Sequence, residues 1–200
     1  MPSAAEDLIA LTAVVGSVTP PGRLRHAVAG ALDRADAAGT VTPTLLDLAE
    51  LEIAFADGRP AAELDDDTAA TVVAIDRADA VLLATPVYRG SLTGALKNLL
   101  DHVPVEALEG KACAIVAMGA SLHHFLGADR HLRDILTFYG AVPTPVAAYL
   151  TAGDFEEGEA RARPAAELDL LLADTVELAR ALARRESAQG LRPLVARPRS

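Results

Sequence analysis

Residues 80–102 read AVLLATPVYRGSLTGALKNLLDH, and the fold follows from how this stretch changes character. Ala80, Val81, Leu82, Leu83 and Ala84 form an unbroken apolar run, the pattern of a strand buried on both faces of a parallel sheet. A polar turn follows from Thr85, with Pro86, Val87, Tyr88, Arg89, Gly90 and Ser91. Helical spacing then takes over at Leu92, Leu96, Leu99 and Leu100. A buried strand thus delivers a tight loop that feeds a helix amino terminus. At the carboxyl edge of an open parallel sheet, such loops and the helix dipoles behind them converge on the crevice where small ligands bind.

The same strand–loop–helix unit recurs on either side. Residues 8–15 are a nearly unbroken apolar run ended by Gly16-Ser17-Val18-Thr19-Pro20-Pro21-Gly22. Leu24, Val28, Ala31, Leu32 and Ala35 then mark one helix face, with Gly39 as its stop. Residues 41–48 read as a second strand, and residues 49–62 have no clean period. Asp65, Asp66 and Asp67 open a helix ending near Arg77, acidic first and basic last, as the helix dipole favours. Past the central unit, Pro104 breaks the helix and residues 112–118 form a fourth strand, ended by Gly119, Ala120 and Ser121. Phe125, Leu132, Ile135, Leu136 and Tyr139 mark the next helix, stopped at Gly140. Residues 142–150 read as a fifth strand, where Pro143 and Pro145 imply an irregular or edge position. Pro164 suits the first turn of a last helix that turns Leu168, Leu171, Leu172, Thr175, Val176 and Leu182 inward.

Five strands alternating with five helices predict an α/β domain of three layers around a five-stranded parallel sheet. Right-handed crossovers leave few topologies, and the flavodoxin-like strand order 2-1-3-4-5 is the expected one. It would place the loops after strands one, three and four along one rim. Residues 1–185 are read as this single domain and residues 186–200 as a basic extension. From Arg184 onward five arginines face one glutamate, in a chain whose net charge is −10.

That acidic balance argues against a nucleic-acid partner or an anionic membrane surface. No apolar run approaches the ~20 residues that a membrane-spanning helix needs. The start, MPSAAEDLIA, lacks the basic beginning of a secretory signal, so a cytoplasmic protein is expected. The single cysteine, Cys113, sits in an apolar run and reads as an inert core thiol.

Three loops carry candidate chemistry. GSVTPPGRLR after the first strand offers the Ser17 and Thr19 hydroxyls, close backbone approach at Gly22, the charges of Arg23 and Arg25, and the Leu24 N–H at a helix start. These are what phosphate binding needs, although an ordinary strand-to-helix turn has the same look. It is neither a Walker loop nor G-x-G-x-x-G, which disfavours ATP and a Rossmann-bound nicotinamide. In TPVYRGS, Pro86 fixes the loop, Tyr88 offers a flat ring, Gly90 permits backbone approach and Ser91 is placed to cap the next helix. A planar heteroaromatic ligand suits such a loop; a plain turn with a surface tyrosine is the alternative. Gly119, Ala120 and Ser121 would form the opposite wall. His123 and His124 point in different directions on a helix and have no suitably spaced partner, so no metal is expected. No serine lies in a G-x-S-x-G elbow, so no Ser/His/Asp catalysis is expected either.

Taken together, Gly16-Ser17 with Arg23, TPVYRGSLTGALKNLLD (residues 85–101) and MGASLHHFLGADRHLR (residues 118–133) resemble the NADPH-dependent FMN reductase family of flavodoxin-like enzymes. Within it they look closest to the flavin reductases of alkanesulfonate monooxygenase systems. The resemblance implies FMN and NADPH or NADH as cofactors. It places the FMN phosphate on Ser17, Thr19, Gly22, Arg23 and Leu24. The isoalloxazine ring would lie against Pro86, Val87, Tyr88, Arg89, Gly90 and Ser91, with Gly119, Ala120 and Ser121 beyond it. The chain departs from the family at Thr19 and Gly22, which lose an arginine and a hydroxyl, and at Ala120, often glycine in the family. Hydride transfer between cofactors needs no side-chain acid or base, so no catalytic residue is implied. Arg23, Arg89 and Arg130 are candidates for phosphate contacts. The resemblance also implies a homodimer or homotetramer, and release of reduced FMN to a partner monooxygenase. Two other readings stay open, an FMN-retaining quinone, azo or chromate reductase and a non-catalytic flavodoxin-like electron carrier.

Overall fold

The apolar runs do become strands, and all of them point the same way. The computed structural model describes residues 8–19 and 22–184; the extension expected from residue 186 lies outside the described residues. β1 (Ile9–Val15) is the hub, pairing in parallel with β2 (Val41–Asp47) on one side and with β3 (Ala80–Pro86) on the other. β3 pairs along its whole length with β4 (Ala112–Met118), from Ala80 opposite Ala112 to Pro86 opposite Met118. The strand order is β2-β1-β3-β4-β5, the flavodoxin-like order.

Alternate strand residues face opposite layers, so neighbours in sequence serve different cores. Leu11, Leu82 and Ala114 pack under α1 (Arg23–Ala37) and α5 (Ala162–Ala183), with Leu24, Val28, Leu168 and Leu172. Val14, Val81, Leu83 and Ile115 pack on the other face. They meet Ile75 of α2 (Thr68–Arg77), Leu96 and Leu99 of α3 (Gly94–His102), and Leu132 and Leu136 of α4 (Phe125–Tyr139). Each of these central strands is buried on both sides, which explains why their sequence shows runs and not alternation.

The expected fifth strand is two pieces. β5 (Val142–Pro143) and β6 (Ala148–Leu150) both pair with β4. Between them the chain leaves the ladder, and Arg133 takes the freed carbonyls, donating to Thr144 O at 2.9 Å and Pro145 O at 3.2 Å. Asp129 holds that guanidinium from one turn earlier, at 2.9 Å. Pro143 and Pro145 cannot donate to a ladder, so the break falls where the sequence placed its irregularity. A hairpin that the sequence reading missed follows, β7 (Phe155–Glu156) and β8 (Glu159–Ala160), closed by Glu157 and Gly158 at φ 51° and 94°.

Cys113 is fully buried between β3 and β5, and burial pushes its thiol up to about 12. The folded state therefore keeps a proton that the unfolded chain begins to lose near its ordinary value of 9.0. Stability from this group is whole below that pH and falls as pH rises toward 12, by at most about 1.4 kcal/mol per pH unit. We expect urea midpoints that decline above pH 9 and decline less in Cys113→Ala. The native thiol should resist alkylation that goes to completion in denaturant.

Candidate functional site

The loops after β1, β3 and β4 meet at the carboxyl edge of the sheet because their parent strands are neighbours there. The meeting is fastened by backbone bonds. Gly16 N–H donates to Ala84 O at 2.7 Å, and Val87 N–H donates to Met118 O at 2.8 Å. Gly119 N–H reaches Leu150 O of β6 at 2.9 Å. The three loops that carry the fourteen residues singled out in the sequence thus share one rim; Pro20 and Pro21, between Thr19 and Gly22, lie outside the described residues.

In the first loop, Ser17 is half-buried and its Oγ accepts from Thr19 N–H at 3.3 Å, while Thr19 itself is exposed. Gly22 is the N-cap residue of α1 and makes no side-chain cap bond; Leu24 is buried beneath it. The first turn of α1 holds no acidic side chain, so its open N–H groups and dipole face the rim uncompensated. The two arginines part company. Arg25 pairs with the buried Asp47 at 3.0 Å, and Glu50 stands 3.9 Å away, so it adds no free charge to the loop. Arg23 stays on the surface, with its guanidinium 5.6 Å above the Phe155 ring. The expectation that both would supply positive potential is corrected: only Arg23 does.

The second loop closes on itself. Tyr88 N–H donates to Ser91 O at 2.9 Å and Ser91 N–H to Tyr88 O at 3.1 Å. Arg89 and Gly90 occupy the two central positions at φ 54° and 80°, the signature of a type I′ turn. Tyr88 is half exposed, and Pro86 and Val87 lie partly buried behind it. Positive φ at Arg89 is costly for a residue with a β-carbon, about 1–2 kcal/mol, and asparagine tolerates it better. Arg89→Asn is therefore expected to raise Tm by about 2 °C, measured by calorimetry, since 1 kcal/mol shifts a chain of this size by roughly 2–4 °C.

The helix cap is a second correction. Thr93, not Ser91, caps α3: its Oγ1 accepts from Leu96 N–H at 3.2 Å and donates to Gly16 O. Thr93 N–H in turn donates to Thr85 Oγ1 at 3.1 Å. This buried threonine pair ties the first loop, the end of β3 and the start of α3 into one knot. Both hydroxyls precede the helix in sequence, but only Thr93 stands next to its first residue.

In the third loop, Tyr149 of β6 donates to Ser121 O at 2.7 Å. A β-carbon on Gly119 would fall 1.9 Å from that same phenol oxygen, so any other residue here would displace the Tyr149 ring from its bond to Ser121. Ala120 is exposed and Ser121 half-buried. Tyr149 escaped the sequence reading because it sits after the strand break. Across the rim, Val87, Tyr88, Ser91 and Gly119 have committed their N–H groups within the protein. The N–H groups of Arg89, Gly90, Ala120 and Ser121 have no such partner among the described residues.

Arg130 is exposed on α4. Among the described residues no group of three or more metal-ligating side chains gathers, and no helix is long and apolar enough to cross a membrane.

The family described as NADPH-dependent FMN reductase matches residues 9–156. The NAD(P)H-dependent FAD/FMN reductase of Geobacillus thermodenitrificans (strain NG80-2) is 35% identical over 113 residues, 56% of this chain and 61% of that one. The NADH-dependent FMN reductase SfnF of Pseudomonas putida is 30% identical over 156 residues, 76% of this chain and 82% of that one. Over several other relatives the chain spans only about half of their length. The apo structure of an NADH:FMN oxidoreductase (EMOB) superposes with TM-score 0.67 at 24% identity, covering 88% of this chain and 91% of that one, a likeness of fold.

Proposed function

We propose, from the premise that this chain belongs to the NADPH-dependent FMN reductase family, that it transfers hydride from NADPH or NADH to FMN. The observation that carries the reading is the fastening of three loops into one rim at the ends of β1, β3 and β4. The residues present fit the cofactor. The acid-free amino terminus of α1, with Ser17, Thr19, Gly22, Arg23 and Leu24, suits a phosphate. The exposed Tyr88–Ser91 turn, whose Gly90 carries no side chain and has open space above it, suits the edge of a flat ring. Bound there, FMN supplies the electron-accepting ring for the nicotinamide's hydride.

The chain's own part is binding and electrostatics. Residues 86–91 and 119–121 hold the ring from two sides. The N–H groups of Arg89, Gly90, Ala120 and Ser121 are placed to stabilise negative charge at its edge. Since Arg25 is neutralised by Asp47, Arg23 carries the side-chain charge toward the phosphate. Arg130 and Arg89 are the remaining cations for a second phosphate.

The rim is open: Thr19, Arg23, Tyr88, Arg89, Gly90 and Ala120 are all exposed. An open rim suits a flavin that arrives as substrate and leaves reduced, and we extend the proposal to delivery of that product to a partner monooxygenase. Exposed Leu122, Phe125, Leu126, Phe138 and Val146 support a homodimer or homotetramer, and the proposal takes the cytoplasm as its place of action.

Loss of reduced-nicotinamide absorbance decides the reading, followed with NADPH and with NADH, each with and without added FMN. Oxidation that requires free FMN is the expected result. Oxidation by a yellow protein that keeps FMN through dialysis would instead favour a bound-cofactor reductase, and no oxidation under any condition would overturn the assignment.

A further inference from the structure

Residues of α4 that no site reading uses contact the back of the Tyr88–Ser91 turn. Gly127 lies in the first turn of that helix, where glycine is unfavourable on helix grounds. The reason for it is tertiary: a β-carbon there would stand 2.7 Å from Gly90 O and 3.0 Å from Gly90 C. Both are backbone atoms, so no side-chain rotation relieves the contact. One turn later on the same helix face, His131 Nδ1 lies 2.7 Å from Ser91 Oγ. The pair bonds in either imidazole tautomer, because the hydroxyl both donates and accepts.

We propose that Gly127 and His131 form a seat on α4 that holds the Tyr88–Ser91 turn in register, which makes His131 a positioning residue for the ring-binding wall. The turn's ends are closed by its own two backbone bonds, but those bonds only set its shape. Its base is anchored to β4 by the Val87 bond to Met118, and the place of its tip relative to the third loop is set from behind, by α4. The Gly127 contact lets the turn approach, and the His131 bond stops it from sliding along the helix. The Arg89 and Gly90 N–H groups then point at a fixed position on the rim. The imidazole reaches the flavin wall only through Ser91, so its effect is on binding and not on the hydride step. This inference rests on the proposed flavin site for its functional half and on geometry alone for its structural half.

The test separates those halves. Hydrogen exchange of the peptide covering residues 86–93, measured in flavin-free protein, reads the seat directly. His131→Ala and Gly127→Ala should each speed exchange there and leave the strands unchanged. FMN affinity, read by quenching of flavin fluorescence, should fall about fivefold in His131→Ala, the scale of one lost hydrogen bond. Ser91→Ala should lose the same factor, and the double variant no more than either alone. His131→Asn, whose amide reaches the position of Nδ1, should return affinity to within about twofold of the parent. Unchanged exchange in both α4 variants would overturn the seat, as would multiplicative losses in the double variant. A parent protein that fails to quench FMN would sink the flavin site, while the exchange result would still decide the seat.

Discussion

Gly16→Val is expected to lower stability by about 2–3 kcal/mol and to abolish measurable FMN affinity, because the loop it starts is wedged against α3. A β-carbon at residue 16 would stand 2.7 Å from Leu96 Cβ, with Leu96 Cδ2 and Thr93 Oγ1 each at 3.2 Å. Leu96 is wholly buried, and its β-carbon moves only if the α3 backbone moves. The added methyls of valine make the collision worse. To relieve it, α3 must retreat from the sheet, which breaks the Gly16 bond to Thr93 and shifts the Tyr88–Ser91 turn that leads into the helix. Urea denaturation and flavin fluorescence measure the two halves. Gly94→Ala is the control, since a β-carbon there meets nothing within 4 Å. A Gly16→Val protein as stable as Gly94→Ala would show that the wedge is not tight.

Thr93→Val keeps the shape of the knot and removes its hydroxyl. Thr93 is 2% exposed, so neither partner of that hydroxyl recovers a bond to water without rearrangement. Leu96 N–H loses its cap, a loss of about 0.5–2 kcal/mol in other helices. Gly16 O loses its donor, and a buried acceptor left unpaired costs about 1–3 kcal/mol. The two losses together are expected to lie near 3 kcal/mol by chemical denaturation, with flavin affinity falling as the first loop comes free of α3. Thr93→Ser retains both bonds and should stay within about 1 kcal/mol of the parent. Equal behaviour of the valine and serine variants would mean that the hydroxyl does not hold the loops together.

Much of this molecule is readable along the chain. Apolar runs such as residues 80–84 and 112–117 announce strands covered on both faces, and that pattern allows little except a parallel sheet between two helical layers. Gly140 ends α4 in the left-handed conformation, as a glycine placed just past a helix should. The loops that build the rim are legible too, because each follows a strand end at once and carries glycine, proline and hydroxyl residues. The fifth strand was legible only as a warning. Pro143 and Pro145 signalled a break, but not that Arg133, from the preceding helix, would fill it.

What the sequence by itself determined is the order of layers and the position of the rim, since both follow from local hydrophobic pattern and from the rules of parallel connection. The tertiary structure alone decided which groups at that rim are free. Two arginines two residues apart look equivalent, yet Asp47 takes Arg25 and leaves Arg23. Two hydroxyls precede α3, yet Thr93 caps it and binds Gly16, 77 residues away, while Ser91 turns to His131, 40 residues away. Gly127 looks like a weak point in a helix until Gly90 O is found 2.7 Å from where its side chain would begin. Partnership of this kind depends on approach between distant segments, and no local pattern encodes a distance.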